Sequence, residues 1–101
     1  MSFKLLSVKK SDKPKKKLVA TFENLKTKRT KKVYFGAAGM DDYTLTKDKE
    51  QRARYRKRTI NQIKNPNTTP LSPSYLSYYI LWGDSTSRNT NIKDYKKRFN
   101  L

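Results

Sequence analysis

From Lys17 to Glu23 the chain alternates: Leu18, Ala20 and Phe22 fall on one face, and Val19, Thr21 and Glu23 on the other. A two-residue period predicts a half-buried strand. Val33 and Phe35 share a face in the same way within Lys31–Phe35. Antiparallel pairing of 17–23 with 31–35 predicts a hairpin whose tip carries Lys26, Lys28 and Arg29. Residues 2–8 set Phe3, Leu5, Leu6 and Val8 among Ser and Lys and predict one more strand, ended by the turn-forming Ser11-Asp12-Lys13-Pro14. Gly36-Ala37-Ala38-Gly39 ends the third strand as an exit turn or, in the alternative reading, as a phosphate-cradling turn.

The period then lengthens. After an acidic and aromatic loop, Met40–Thr46, Thr46 is placed to cap a helix over Lys47–Ile63, with Asp48 and Glu50 in its first turn. Arg54, Lys57, Arg58, Asn61 and Lys64 share one face of this helix, and Tyr55, Thr59, Ile60 and Ile63 lie toward the other. Arg52 and Arg56 fall on that apolar side, where an unpaired charge is costly, so Asp41 and Asp42 are the expected partners. Asn65–Pro70 reads as a loop. Ser72-Pro73 supplies a cap and a helix-starting proline for Ser74–Trp82, the most apolar segment and the expected central helix, stopped by Gly83. Thr90–Phe99 predicts a last helix with Ile92, Tyr95 and Phe99 on one stripe. The expected fold is α+β: a small antiparallel β-sheet of about three strands in the N-terminal third, followed by three helices. It forms one basic domain over 1–101, with a Lys-rich N-terminal segment (1–16) and an α+β core (17–101).

Charge changes the picture from fold to partner. Twenty-five Lys and Arg stand against eight Asp and Glu, a net charge of +17. That self-repulsion costs stability and exceeds what solubility requires, which points to a polyanionic partner. Nucleic acid is the first candidate; an acidic protein or an anionic membrane is the competitor. Twelve of the cations, against two acids, fall in residues 1–32. Four basic runs provide the candidate contacts. Lys15, Lys16 and Lys17 close the first run. Lys26, Lys28, Arg29, Lys31 and Lys32 make the second, on the hairpin. Arg54, Lys57 and Arg58 line the exposed side of the long helix, and Lys93, Lys96 and Lys97 lie near the C-terminal end. Together they are expected to form one folded surface. Lysine predominates in the N-terminal half, and a compact lysine charge favours phosphate contact over base reading, so weak sequence preference is expected.

Catalytic chemistry has little material. There is no His and no Cys, which removes general-base imidazole, thiol nucleophiles, disulfides and Cys/His zinc sites. Asp41 and Asp42, with Asp48, could hold a divalent cation as in a nuclease, although pairing with Arg52 and Arg56 is the favoured reading. No enzyme activity, metal or cofactor is therefore expected. Tyr75, Tyr78, Tyr79 and Trp82 could stack on unpaired bases, but their mixing with Leu76, Ile80 and Leu81 favours core packing. No run of about 18 apolar residues predicts a membrane span, and the quickly charged start does not read as a signal peptide.

Two blocks carry a resemblance. The first is Lys32-Val33-Tyr34-Phe35-Gly36-Ala37-Ala38-Gly39-Met40-Asp41-Asp42-Tyr43-Thr44, followed by Lys47-Asp48, Arg52, Tyr55 and Arg58. The second is Ile80-Leu81-Trp82 and then Ile92-Lys93-Asp94-Tyr95-Lys96-Lys97-Arg98-Phe99. In this order they resemble a family of small basic proteins encoded by nucleocytoplasmic large DNA viruses, over about residues 17–101. The chain departs from that pattern at Thr59, where the family often has His, and in Asn65-Pro66-Asn67, which lacks a Trp. The resemblance implies a viral origin and a virion location: the virion core, and in the host the nucleus or a cytoplasmic viral factory. Charge and resemblance together lead to the expectation of a protein that contacts double-stranded DNA, with RNA as the next candidate, and helps condense or organise a genome. A structural adaptor of the virion on acidic capsid or core proteins is the alternative, and a metal-dependent nuclease is the third; a homodimer is a further candidate partnership.

Overall fold

A computed structural model describes residues 3–101. Three strands, β1 (Phe3–Lys10), β2 (Lys16–Asn24) and β3 (Thr30–Ala37), form an antiparallel sheet in the order β1-β2-β3. The alternating pattern is realised directly: Leu18, Ala20 and Phe22 of β2 and Val33 and Phe35 of β3 are all buried on one face. Register brings Leu18 opposite Phe35, Ala20 opposite Val33, and Leu5 opposite Phe22. Leu5 is 1% exposed and belongs to the core. The lysine-rich segment therefore supplies a strand whose Leu5 adds to the core. Ser2, included in the expected first strand, lies outside the described residues. Between Leu5 and Ser7 the register slips by one residue, a bulge that turns Leu6 out to solvent.

The helical half covers the buried face of the sheet. A single turn, α1 (Tyr43–Thr46), forms where a loop was expected, because Asp42 accepts from the Thr44 N–H and caps it. Helix α2 spans Lys49–Lys64 and is capped by Asp48, whose carboxylate accepts from the Glu50 and Gln51 N–H groups. Thr46 is already used at the end of α1, so the cap falls two residues later than expected. Thr59 and Ile63 are buried on α2 and Tyr55 and Ile60 half-buried, as the helical period predicts.

Ser74–Trp82 is not one regular helix. Ser72 caps α3 (Pro73–Leu76), which widens into a π-helical turn over Ser77–Leu81, closed by the Trp82 N–H donating to the Ser77 carbonyl at 3.0 Å. Tyr78, Ile80, Leu81 and Trp82 are all buried here, so the wide turn buries nearly its whole circumference. Gly83 follows for a steric reason: a Cβ there would lie 2.2 Å from the Tyr79 carbonyl oxygen. Helix α4 spans Arg88–Phe99, capped by Ser87 rather than beginning at Thr90. Its Tyr95 is buried and packs edge-on against Phe99, which also meets Tyr75 and Tyr79 edge-on. Tyr78 and Trp82 are buried, and Tyr75 and Tyr79 pack half-buried against the core, as the sequence favoured. Asn91, which the sequence did not single out, is buried on α4. It donates to the Ile80 and Ser85 carbonyls and accepts from the Ser85 N–H, tying α4 to the π turn.

Candidate nucleic-acid interface

Of the twenty-five Lys and Arg, four form ion pairs among the described residues: Lys17, Arg52, Arg56 and Arg88. The other twenty-one have no carboxylate partner. The four that do are structural. Asp42 is buried, and Lys17 Nζ and Arg88 Nη2 reach its Oδ2 at 2.6 and 3.2 Å. Burial alone would raise the Asp42 carboxyl pKa. Hydrogen bonds from Lys17 and Thr44, with the charges of Lys17 and Arg88, outweigh that and hold it below the usual carboxylate value.

Asp42 therefore does not pair with Arg52 or Arg56, contrary to the expectation. Those arginines serve the end of the π turn. Arg52 Nε donates to the Gly83 carbonyl at 2.6 Å and its Nη2 reaches Asp84 at 2.6 Å, while Arg56 donates to the Trp82 carbonyl at 3.1 Å. The Arg56 guanidinium also lies over the Tyr78 ring, 4.3 Å from its centroid. Cations at the carbonyl end of a helical turn are favourably placed.

Lys17 is accordingly a correction to the expected interface: its side chain is only 11% exposed and is committed to Asp42. The remaining expected residues are exposed or, for Lys96, half-buried, but they do not form one surface. Lys15 lies in the β1–β2 turn and Lys16 begins β2. Lys26, Lys28 and Arg29 lie in the β2–β3 turn, about 26 Å away at roughly 3.3 Å per strand residue. Lys31 and Lys32 sit opposite Phe22 and Thr21, so they project to opposite faces of β3. Lys57 is on α2, and Lys93, Lys96 and Lys97 are on α4. The sheet also keeps one face open to solvent, where Lys9 is registered beside Val19 and Tyr34, and where Lys13 lies 4.2 Å from the centre of the Tyr34 ring.

Three of the expected cations do converge. Lys16, Arg54 and Arg58 border two adjoining hollows of about 350 and 370 Å³ that share Met40, Asp41, Tyr55, Arg58 and Trp82. One wall is the turn after β3. Gly36 and Gly39 both have positive φ (77° and 82°), and the Met40 N–H closes the turn on the Ala37 carbonyl. Gly36 has a second reason: a Cβ there would lie 2.7 Å from Leu81 Cδ1, so its absence lets the π turn seat against the sheet. The other walls are α2 and the start of α3, with Gln62, Ser74 and Ser77 as polar lining. Tyr55 and Trp82 stack between them at 4.3 Å with an 11° interplanar angle. The sequence did not pair these two aromatics, which lie 27 positions apart, and a Tyr on an amphipathic helix carries no signal for a partner.

The acids proposed for a metal are each employed separately. Asp42 is paired, Asp48 caps α2, and Asp41 borders the hollows. Among the described residues no group of three acidic side chains is arranged to hold a metal ion. Nor is any helix among them long and apolar enough to cross a membrane.

A family profile matches residues 6–59. The chain belongs to DUF5754, a family of unknown function. The DUF5754 match takes in nearly all of the sheet, the Gly36–Gly39 turn, α1 and most of α2, and so includes Lys16, Arg54, Tyr55 and Arg58. Trp82, Ser74 and Ser77, which also line the first hollow, lie beyond it. No curated protein and no solved structure matches the chain.

Proposed function

We propose that this chain binds the phosphate backbone of nucleic acid, duplex DNA first, with little sequence preference, and helps condense or organise a genome. The observation that carries the reading is the surplus of twenty-one Lys and Arg without a carboxylate partner among the described residues, on a fold that already uses its other four cations internally. A charge this large destabilises the free protein and is relieved when a polyanion supplies the counter-charge.

The spread of these cations bears on the manner of binding. Basic residues at both ends of the sheet, on α2 and on α4 suit bridging between duplex segments better than insertion into one groove. Lysines act as point charges on phosphates and release condensed counterions without reading bases. The resemblance to small basic proteins of large DNA viruses makes a viral genome, in a virion core, the duplex of choice for this reading.

The test is a gel-shift or anisotropy titration with random-sequence duplex across a salt series. If about six to ten phosphates are contacted, affinity falls roughly 10³- to 10⁵-fold between 50 and 200 mM salt. Absence of any complex at 50 mM salt overturns the proposal.

A further inference from the structure

The hollows beside α2 differ from the rest of the basic surface. Elsewhere the free cations stand on strands, turns and helix faces. Here Lys16 and Arg58 lie at a concavity of about 350 Å³ that Ser74 and Ser77 also line, the Ser74 hydroxyl donating to Gln62 Oε1 at 3.2 Å. That volume is at the small end of ligand sites, which run from about 300 to 1,000 Å³. The wall is an aromatic pair, Tyr55 on Trp82. Arg58 is exposed and holds no carboxylate; its guanidinium lies 5.8 Å from the centre of the Tyr55 ring. The floor is made by an irregular element, the π turn, seated on a glycine that no larger residue replaces without displacing Leu81. π turns inside helices are frequent at functional sites.

From this the geometry points to a seat for one phosphate-bearing nucleotide, either free or at the end of a strand. The phosphate is recognised by Lys16 and Arg58, with the Ser77 hydroxyl as a further donor, since Ser74 already donates to Gln62, and the base lies against the half-buried Tyr55 ring, which the buried Trp82 backs. Two cations and a hydroxyl suit a phosphate dianion. An aromatic ring suits a flat base of any identity, which matches a protein with weak sequence preference. Asp41 at the rim repels phosphate from that end and can accept a hydrogen bond from a sugar hydroxyl or a base amino group, which fixes the direction in which the nucleotide enters. The inference rests on the nucleic-acid reading for its biological context, but its chemistry is that of this cleft alone.

Trp82 is the sole tryptophan, so its emission reports on this wall without a label. The full chain is titrated at 200 mM salt, where backbone binding is weakened, with deoxyadenosine monophosphate, with deoxyadenosine, and with short oligothymidylates carrying a 5′-phosphate or a 5′-hydroxyl. A saturable emission change with the monophosphate is expected, at least about tenfold weaker with the nucleoside, which offers no phosphate to the two cations. Arg58→Gln weakens the monophosphate about tenfold, and Lys16→Gln acts in the same direction. Lys49→Gln, the same loss of charge in the first turn of α2 and outside the cleft, leaves it within about twofold. Tighter binding of the 5′-phosphorylated strand than of the mononucleotide assigns the seat to strand ends; equal binding assigns it to free nucleotide. No saturable change with any probe, or equal effects of Arg58→Gln and Lys49→Gln, overturns the seat. Duplex binding is read separately in the gel-shift series: a lost seat with an intact duplex shift leaves the backbone reading standing, and a saturable monophosphate response without a duplex shift does the reverse.

Discussion

Helix α2 carries two sets of arginines within one short stretch, and the structure gives them different work. Arg52 and Arg56 face the π turn, where they bind the Gly83 and Trp82 carbonyls and share Asp84. Arg54 and Arg58 face solvent and hold no carboxylate. The difference is one of rotation: residues four apart share a helix face, and a two-residue offset moves the side chain to the other side. Counting cations on this helix would double its apparent binding surface. The lesson extends to the whole chain, where Lys17 and Arg88 likewise serve Asp42 rather than a partner.

Three substitutions sharpen or break this division. The largest effect belongs to Asp42, on which two inward cations depend. Asp42→Ala leaves Lys17 and Arg88 without a partner and uncaps α1, and it lowers stability by about 3 to 5 kcal/mol, the usual cost of breaking a buried pair, read as a drop in urea midpoint. The carboxyl pKa is depressed in the fold, so its contribution is fully present above the ordinary value of 3.8 and is lost as pH falls through the lowered one. Acid unfolding followed by circular dichroism should lose that component in Asp42→Asn.

Arg56→Leu comes next. It removes a charged hydrogen bond to the Trp82 carbonyl and the stacking on Tyr78, and costs about 2 kcal/mol. Its effect on duplex affinity should be slight.

The smallest effect on stability comes from the outer face. The double substitution Arg54→Gln with Lys57→Gln shifts stability by less than about 0.5 kcal/mol. It lowers the slope of log affinity against log salt by about 2, each phosphate that is no longer neutralised accounting for about 0.9. Should Arg56→Leu flatten that slope as much as the outer pair does, the two faces are not functionally distinct.

The sheet was legible because its code is short-range: a two-residue alternation places Leu18, Ala20 and Phe22 together wherever the strand sits. The inner and outer faces of α2 were legible for the same kind of reason. The start of α2 was displaced because Thr46 and Asp48 are both good caps, and only the presence of α1 decides between them. The π turn left no trace, since a segment apolar nearly all round has no period to read. The partners of Asp42 were hidden by distance along the chain: they come from positions 17 and 88, while the nearer Arg52 and Arg56 looked sufficient. On β2, Lys17 has the parity of the open face, and it reaches Asp42 beside Gly36, which offers no side chain to block it. The cleft is assembled from β2, the turn after β3, α2 and α3, so no window of sequence contains it.

The slip at Leu6 has a consequence for crowding. A strand on the border of a sheet is a template on which other chains can lengthen the sheet, and repulsion among lysines such as Lys4, Lys9 and Lys10 ordinarily prevents this. If a polyanion is the partner, as proposed, that electrostatic guard weakens wherever the lysines are covered. The bulge is a guard of shape: it leaves the border irregular whatever the ionic surroundings, so neutralised copies can gather densely without zipping into fibres.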